Sequence, residues 1–234
     1  LRYLIRAAAI KSANDAATAI GEAIEGSEPA FAKRMNRTAK ALGMSRTSFR
    51  NANGLTAEGH LSTAHDMTTL GRRLFFDYPQ YYNLFSRRTA DAGMAQVRST
   101  NARFLDSYEG ADGIKTGYTG PAGFNLVASA QRGNKRIIAT VLGGTSTAQR
   151  NAKVAELLDM GFGRAPNKAP VQKPLPPQYL ADATDGGDDI AAAVAADVAE
   201  AAPGGAAKTI RVSGLALRSQ RPKARPGAPG PAVA

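Results

Sequence analysis

The chain has 234 residues, 30 Lys and Arg against 19 Asp and Glu, a formal net charge of +11, and no cysteine. That length holds one good domain plus a tail, or two small domains. The missing cysteine excludes disulfides, thiolate metal sites and a cysteine nucleophile.

The charge suits an anionic partner. A nucleic-acid reader would need a basic stripe interleaved with aromatics, or a known motif. Lys and Arg are instead scattered, there is no Trp, and no nucleic-acid partner is expected. No apolar run approaches the roughly 18 residues of a membrane span.

In chain order, residues 1–10 (LRYLIRAAAI) read as the interior of a helix without a start signal. The expectation is that sequence is missing upstream. Apolar residues at Ala17, Ile20 and Ile24 give Asn14 to Glu25 a helical period. Phe31, Met35, Ala39 and Leu42 make a second stripe, started by Ser27 and Pro29 and stopped at Gly43. Met67, Leu70 and Leu74 make a third, ending before Pro79. Asn53-Gly54 is a turn signal.

The period then changes. Gly113 to Tyr118 is short and bounded by glycines, and Phe124, Leu126, Ala128 and Ala130 alternate with more polar positions. Gly133-Asn134 signals a turn, and Ile137 to Leu142 is nearly all apolar; these are consecutive antiparallel strands. Val154, Leu157 and Leu158 form a last helix, closed near Gly161. Helices, a strand meander and a closing helix make an α+β (mixed α/β) domain over 1–164. Met35, Met44, Met67 and Met160 read as core. Residues 165–234 change to Pro-, Ala- and Gly-rich sequence, expected to be a disordered tail with at most a transient helix over 190–202.

Two tripeptides carry chemistry. Ser12-Ala13-Asn14 stands just before a helix, and Lys115-Thr116-Gly117 lies on a strand. Alone, the first is most simply an N-cap and the second an exposed strand end. Together, and in this order, they match two of the three elements S-x-x-K, S-x-N and K-T-G shared by β-lactamases and penicillin-binding proteins. His60 and His65, the only histidines, have a spacing that suits no zinc motif.

Around these tripeptides the sequence resembles the serine D-alanyl-D-alanine carboxypeptidases, the low-molecular-mass penicillin-binding proteins. The stretches KSANDAATAIGEAIEG, FAKRMNRTAKALGMSRTSFRNANGL, STAHDM and IKTGYTGPAGFNLVASA carry the likeness, over roughly residues 1–164. The resemblance implies a β-lactamase/transpeptidase-like fold, with helices packed on an antiparallel sheet. It implies removal of the terminal D-alanine of a cell-wall stem pentapeptide through a serine ester, without metal or cofactor, outside the cytoplasm.

It also implies roles. Ser12 moves protons between the catalytic lysine and the leaving group, and Asn14 holds the substrate amide. Lys115 and Thr116 bind the terminal carboxylate, helped by Arg150. Gly117 leaves room for peptide backbone, and the Tyr118 N–H forms half of an oxyanion hole; relatives often have His at this position. β-Lactams would acylate the same nucleophile.

Two departures from the pattern stand out. No serine is followed three positions later by lysine, so S-x-x-K, which supplies nucleophile and base, is absent. The tail lacks the apolar face of an amphipathic anchor, so membrane attachment is not expected. The alternatives are a muropeptide-binding module that does not cut, and a β-lactamase.

Overall fold

Ser27 and Thr63 set the starts of the two helices that frame the first half of the chain. The computed structural model describes residues 1–168, 170–177 and 179. Helix α1 (Arg2–Arg6) runs into a π-helical stretch (Ala7–Lys11), followed by α2 (Asn14–Glu25) and α3 (Glu28–Ala41). The Ser27 hydroxyl accepts from the Ala30 N–H at 3.3 Å and Pro29 sits in the first turn, which is the start the sequence announces. Helix α4 (Ala64–Asp77) begins at Thr63, whose hydroxyl accepts from the Asp66 N–H at 3.1 Å.

Between α3 and α4 the chain makes an irregular loop, closed by a two-way backbone pairing of Ser48 with Leu61 at 2.8 and 2.9 Å. Side chains replace regular ladders here. Asn36 on α3 donates to the Phe49 carbonyl at 2.9 Å and accepts from its N–H at 2.6 Å. Asp66 accepts from the Arg46 N–H at 2.8 Å and the Thr47 hydroxyl at 2.7 Å. Gly54, in the expected turn, has φ +86°.

After α4 come the short α5 (Pro79–Tyr82), a 3-10 turn (Asn83–Ser86), a hairpin of β1 (Thr89–Asp91) with β2 (Gln96–Arg98), and α6 (Ala102–Ser107). None of these is announced by the sequence: three-residue strands and one-turn helices are too short to show a period. The meander follows as expected: β3 (Ala111–Thr119), β4 (Gly123–Arg132) and β5 (Lys135–Gly144), antiparallel in the order β3-β4-β5. Helix α7 (Thr147–Arg164) closes the domain.

The sheet is covered on both faces. On one, Val154, Leu158 and Phe162 of α7 pack against Leu126, Ala128, Ala130 and Ala139, with Phe104 of α6. Successive strand residues point to opposite faces, so Val127 and Ser129 look the other way. There Gly71 of α4 approaches Val127 and Ile138, and Thr68 shares a 2.7 Å hydrogen bond with Thr140. Buried Ser129 joins the Tyr82 hydroxyl at 2.6 Å and donates to Asp112 at 2.5 Å, tying α5 to the sheet.

Two expectations about α7 are corrected. The helix does not close near Gly161 but continues to Arg164. Gly161 is a contact point rather than a stop: a Cβ there would lie 2.7 Å from Ile137 Cγ2, so its bare backbone lets the helix lie close to β5. Met160 is exposed, on the outer side of that helix, while Met44 is buried.

Of the stretch assigned to a tail, residues 165–168, 170–177 and 179 are described: the carbonyls of Gln172 and Leu175 accept from Arg72 and Arg73 of α4. Residues 180–234, including the expected helix over 190–202, lie outside the described residues. Among the described residues no helix is long and apolar enough to cross a membrane.

Candidate active site

The first half of the site comes from a helix that loses its regular register. Over Ala7–Lys11 the turn widens, and the Ala13 N–H reaches back to the Ala7 carbonyl at 3.1 Å. Ile10, 2% exposed and packed with Leu84 and Ala90, anchors the stretch in a small core of its own. The widening ends at Ser12, at φ 61° and ψ 40°. Among the described residues it is the one non-glycine residue with positive φ. A π-turn followed by a left-handed serine is strained backbone of the kind that gathers at functional sites. Asn14 opens α2 beside it, exposed and, among the described residues, without a hydrogen bond to its carboxamide.

The second half comes from β3. In its ladder with β4, Lys115 faces Val127, Thr116 faces Leu126 and Gly117 faces Asn125. Lys115 Nζ donates to Ser12 Oγ and, at 2.7 Å, to the Thr116 carbonyl. Burial pushes the Lys115 ammonium down to about 8 from its ordinary 10.5, because a charged amine loses hydration there. Gly117 needs no glycine for the fold's own sake: a Cβ would meet only Asn125 Cβ, at an ordinary 3.9 Å. The Tyr118 side chain is exposed, its ring 4.5 Å from that of Phe124.

Thr100, on the loop between β2 and α6, was not legible as a site residue. Its N–H donates to the Ile10 carbonyl at 3.1 Å. Its hydroxyl lies 3.1 Å from Ser12 Oγ and 2.7 Å from Thr116 Oγ1. It therefore bridges the two motifs that the sequence does show. No local pattern marks it, since only the tertiary fold brings residue 100 between residues 12 and 116.

Arg150 is on the first turn of α7 and 5% exposed. Its Nη1 donates to the Asn125 carbonyl at 3.2 Å, and its Nε and Nη2 donate to Asn151 at 3.1 and 2.9 Å. Burial pushes its guanidinium down from the usual arginine value. Among the described residues it makes no hydrogen bond to Ser12, Lys115 or Thr116; it reaches the site's edge through Asn125, the register partner of Gly117. The Asn125 side chain was also missed by sequence reasoning. It accepts from the Gly143 N–H at 2.9 Å and donates to the Gly123 carbonyl at 3.1 Å, bracing the strand ends there. Among the described residues no group of three His, Asp or Glu is placed to hold a metal ion.

Chemically, the arrangement offers a serine hydroxyl polarised by a largely buried ammonium, a row of hydroxyls leading away from it, and a strand whose glycine is uncrowded by the fold. The family model for D-alanyl-D-alanine carboxypeptidases, Peptidase_S11, matches residues 1–146. The D-alanyl-D-alanine carboxypeptidase DacF of Bacillus subtilis is 42% identical over 169 residues, 70% of this chain and 43% of its own length. DacA of Escherichia coli is 38% identical over 159 residues, 68% of this chain and 40% of its own length. Among solved structures, penicillin-binding protein D2 of Listeria monocytogenes in its cefotaxime-bound form is similar with a TM-score of 0.64 and 38% identity, covering 69% of this chain and 66% of that one. The carboxypeptidase DacD of Francisella tularensis is similar with a TM-score of 0.65 and 30% identity, covering 69% and 51%. The chain thus spans less than half the length of these curated relatives, and by sequence and fold it belongs to the D-alanyl-D-alanine carboxypeptidase family.

Proposed function

We propose that this chain supplies the substrate-holding and proton-handling half of a serine-type D-Ala-D-Ala carboxypeptidase acting on cell-wall stem peptides outside the cytoplasm. The observation that carries the reading is the direct contact of Lys115 with Ser12, which joins the S-x-N and K-T-G elements into one site. In this reading the nucleophilic serine and its lysine base lie outside the 234 residues, since no S-x-x-K occurs among them.

The serine attacks the carbonyl between the two terminal D-alanines. Its proton passes to the lysine base and, through Ser12, to the leaving amine. D-alanine departs, and water releases the shortened peptide from the ester. Lys115 and Thr116 hold the substrate carboxylate, Arg150 supports that end, Asn14 receives the peptide amide, and the Tyr118 N–H faces the oxyanion. β-Lactams would acylate the same serine, a reading supported by the cefotaxime-bound form of the similar penicillin-binding protein D2.

The test is release of D-alanine from a stem pentapeptide by the complete protein that carries this chain, together with a labelled penicillin. D-Alanine release and one long-lived adduct support the reading. Fast turnover of penicillin without D-alanine release would make it a β-lactamase, and peptide binding without either would make it a muropeptide-binding module.

A further inference from the structure

We propose that Thr100 is a positioning residue, whose hydroxyl links the carboxylate-holding end of the site to the hydroxyl of Ser12. The inference rests on the carboxypeptidase reading for the identity of the ligand, a peptide with a free C-terminal carboxylate, but not for the hydrogen-bond row itself.

The row is Ser12 Oγ, Thr100 Oγ1 and Thr116 Oγ1, with spacings of 3.1 and 2.7 Å. Each hydroxyl has one proton and two lone pairs. Three protons serve two links, so one proton is always left over. It points out of the row from Thr116, from Ser12 or from Thr100, and the middle case needs both neighbours to donate to Thr100.

A carboxylate at Thr116 accepts only. It selects the first arrangement, in which Ser12 donates to Thr100, Thr100 donates to Thr116, and Thr116 donates to the ligand. Lys115 occupies one lone pair of Ser12, so the other lone pair is then free to receive a proton. No covalent bond changes; only O–H directions do. Thr100 thereby makes occupancy at one end of the site set the hydroxyl orientation at the other. Its backbone bond to the Ile10 carbonyl at 3.1 Å holds it in place independently of the hydroxyl. Thr100→Val therefore removes the row and keeps the anchor.

The experiment follows Lys115 by NMR of 13Cε-labelled lysine in the chain, and measures binding of N-acetyl-D-Ala-D-Ala and of the same peptide with an amidated C-terminus. Breaking the row removes a cooperative strengthening of about 10–30% on the bond from Lys115 to Ser12. In Thr100→Val the Lys115 midpoint falls by roughly 0.3 pH unit. Affinity for the acid peptide falls about three-fold while that for the amide is unchanged. Thr100→Ser, which keeps the hydroxyl, restores both, and a merely structural role would weaken acid and amide alike.

An unmoved Lys115 midpoint in folded Thr100→Val, or in Thr100→Ala should valine not fit, overturns the row. Failure of Thr100→Ser to restore it does the same. Should neither peptide bind the parent chain, the same two peptides are measured on the complete protein that carries it, and an unchanged preference for acid over amide in Thr100→Val there overturns the carboxylate end of the proposal. The titration of the free chain still decides the hydroxyl row by itself.

Discussion

Lys115 Nζ donates to Ser12 Oγ, a contact between residues 103 apart in the chain. The strand-borne ammonium is thereby fixed at the point where the first helix breaks, and its surroundings, rather than its sequence, set its chemistry. Burial brings it to about 8, within reach of ordinary buffers.

The first prediction is a pH dependence of carboxylate recognition. Binding of a D-Ala-D-Ala peptide draws on the protonated ammonium, which is present below about 8 and lost above it. Affinity should be about tenfold lower at pH 9 than at pH 7, and the amidated peptide should show no such fall. Calorimetry at the two pH values measures it, and a flat acid-peptide profile would separate Lys115 from the carboxylate. The same shift has a sign for stability. The folded chain holds the proton less tightly than the unfolded one, whose value is near 10.5, so folding is penalised below about 8 and the penalty is relieved as pH rises toward 10.5.

Gly117 separates the needs of the fold from those of the ligand. Its φ is not positive and a Cβ would find an ordinary contact with Asn125. Gly117→Ala should therefore change the unfolding free energy by less than about 0.5 kcal/mol, while peptide affinity drops at least several-fold. Gly161→Ala, whose Cβ would meet Ile137 at 2.7 Å, is the contrasting control and should cost about 1–3 kcal/mol. Chemical denaturation and peptide titration of the two variants read both quantities. A destabilised Gly117→Ala with normal binding would make this glycine structural.

These contrasts also mark what could be read before the fold was known. Long periodic stretches were legible: α2 runs Asn14–Glu25 as its apolar spacing requires, and the Gly133-Asn134 turn joins β4 to β5. The two motif tripeptides were legible because each is local. Thr100 and Asn125 were not, because Thr100 meets Ser12 and Thr116 from 88 and 16 residues away, and the Asn125 oxygen meets the Gly143 N–H from 18 residues away. Gly161 misled for the opposite reason: a glycine near a helix end has the same letter whether it stops the helix or lets a strand approach.

Asp66 carries an acid-dependent part of the stability. Burial alone would raise its carboxyl, but hydrogen bonds from the Thr47 hydroxyl and the Arg46 N–H, with Thr63 and His65 adding to them, outweigh that and hold it below its ordinary 3.8. A carboxyl held down in the folded state stabilises above the unfolded value. That contribution is lost as pH falls from about 3.8 through the folded value. Asp66→Asn should cost about 1–2 kcal/mol at pH 7 and flatten the loss of stability below pH 4. Urea melts across that range measure it; a parallel acid slope in the variant would assign the dependence to another group.

Arg150 carries the last prediction. The family resemblance gives it a share of the substrate carboxylate, yet three of its five N–H donors are already engaged, with the Asn125 carbonyl and with Asn151. Two donors remain, enough for one further acceptor. Its side chain is buried at a helix N-terminus, where a positive charge opposes the helix dipole. Retaining a buried charge at such a place is reasonable if an anion completes its surroundings. Arg150→Ala should therefore act twice. It should lower stability by about 1–3 kcal/mol, through the lost bond to Asn125. In the complete protein it should remove roughly 2–3 kcal/mol of transition-state binding on peptides ending in a free carboxylate. Arg150→Lys keeps the charge but loses the planar fork, so it should recover part of the carboxylate binding and little of the stability. Steady-state kcat/KM on acid and amidated peptides separates the two effects. Equal losses on both substrates would leave Arg150 as a brace for Asn125 alone, holding the strand opposite Gly117 without touching what binds there.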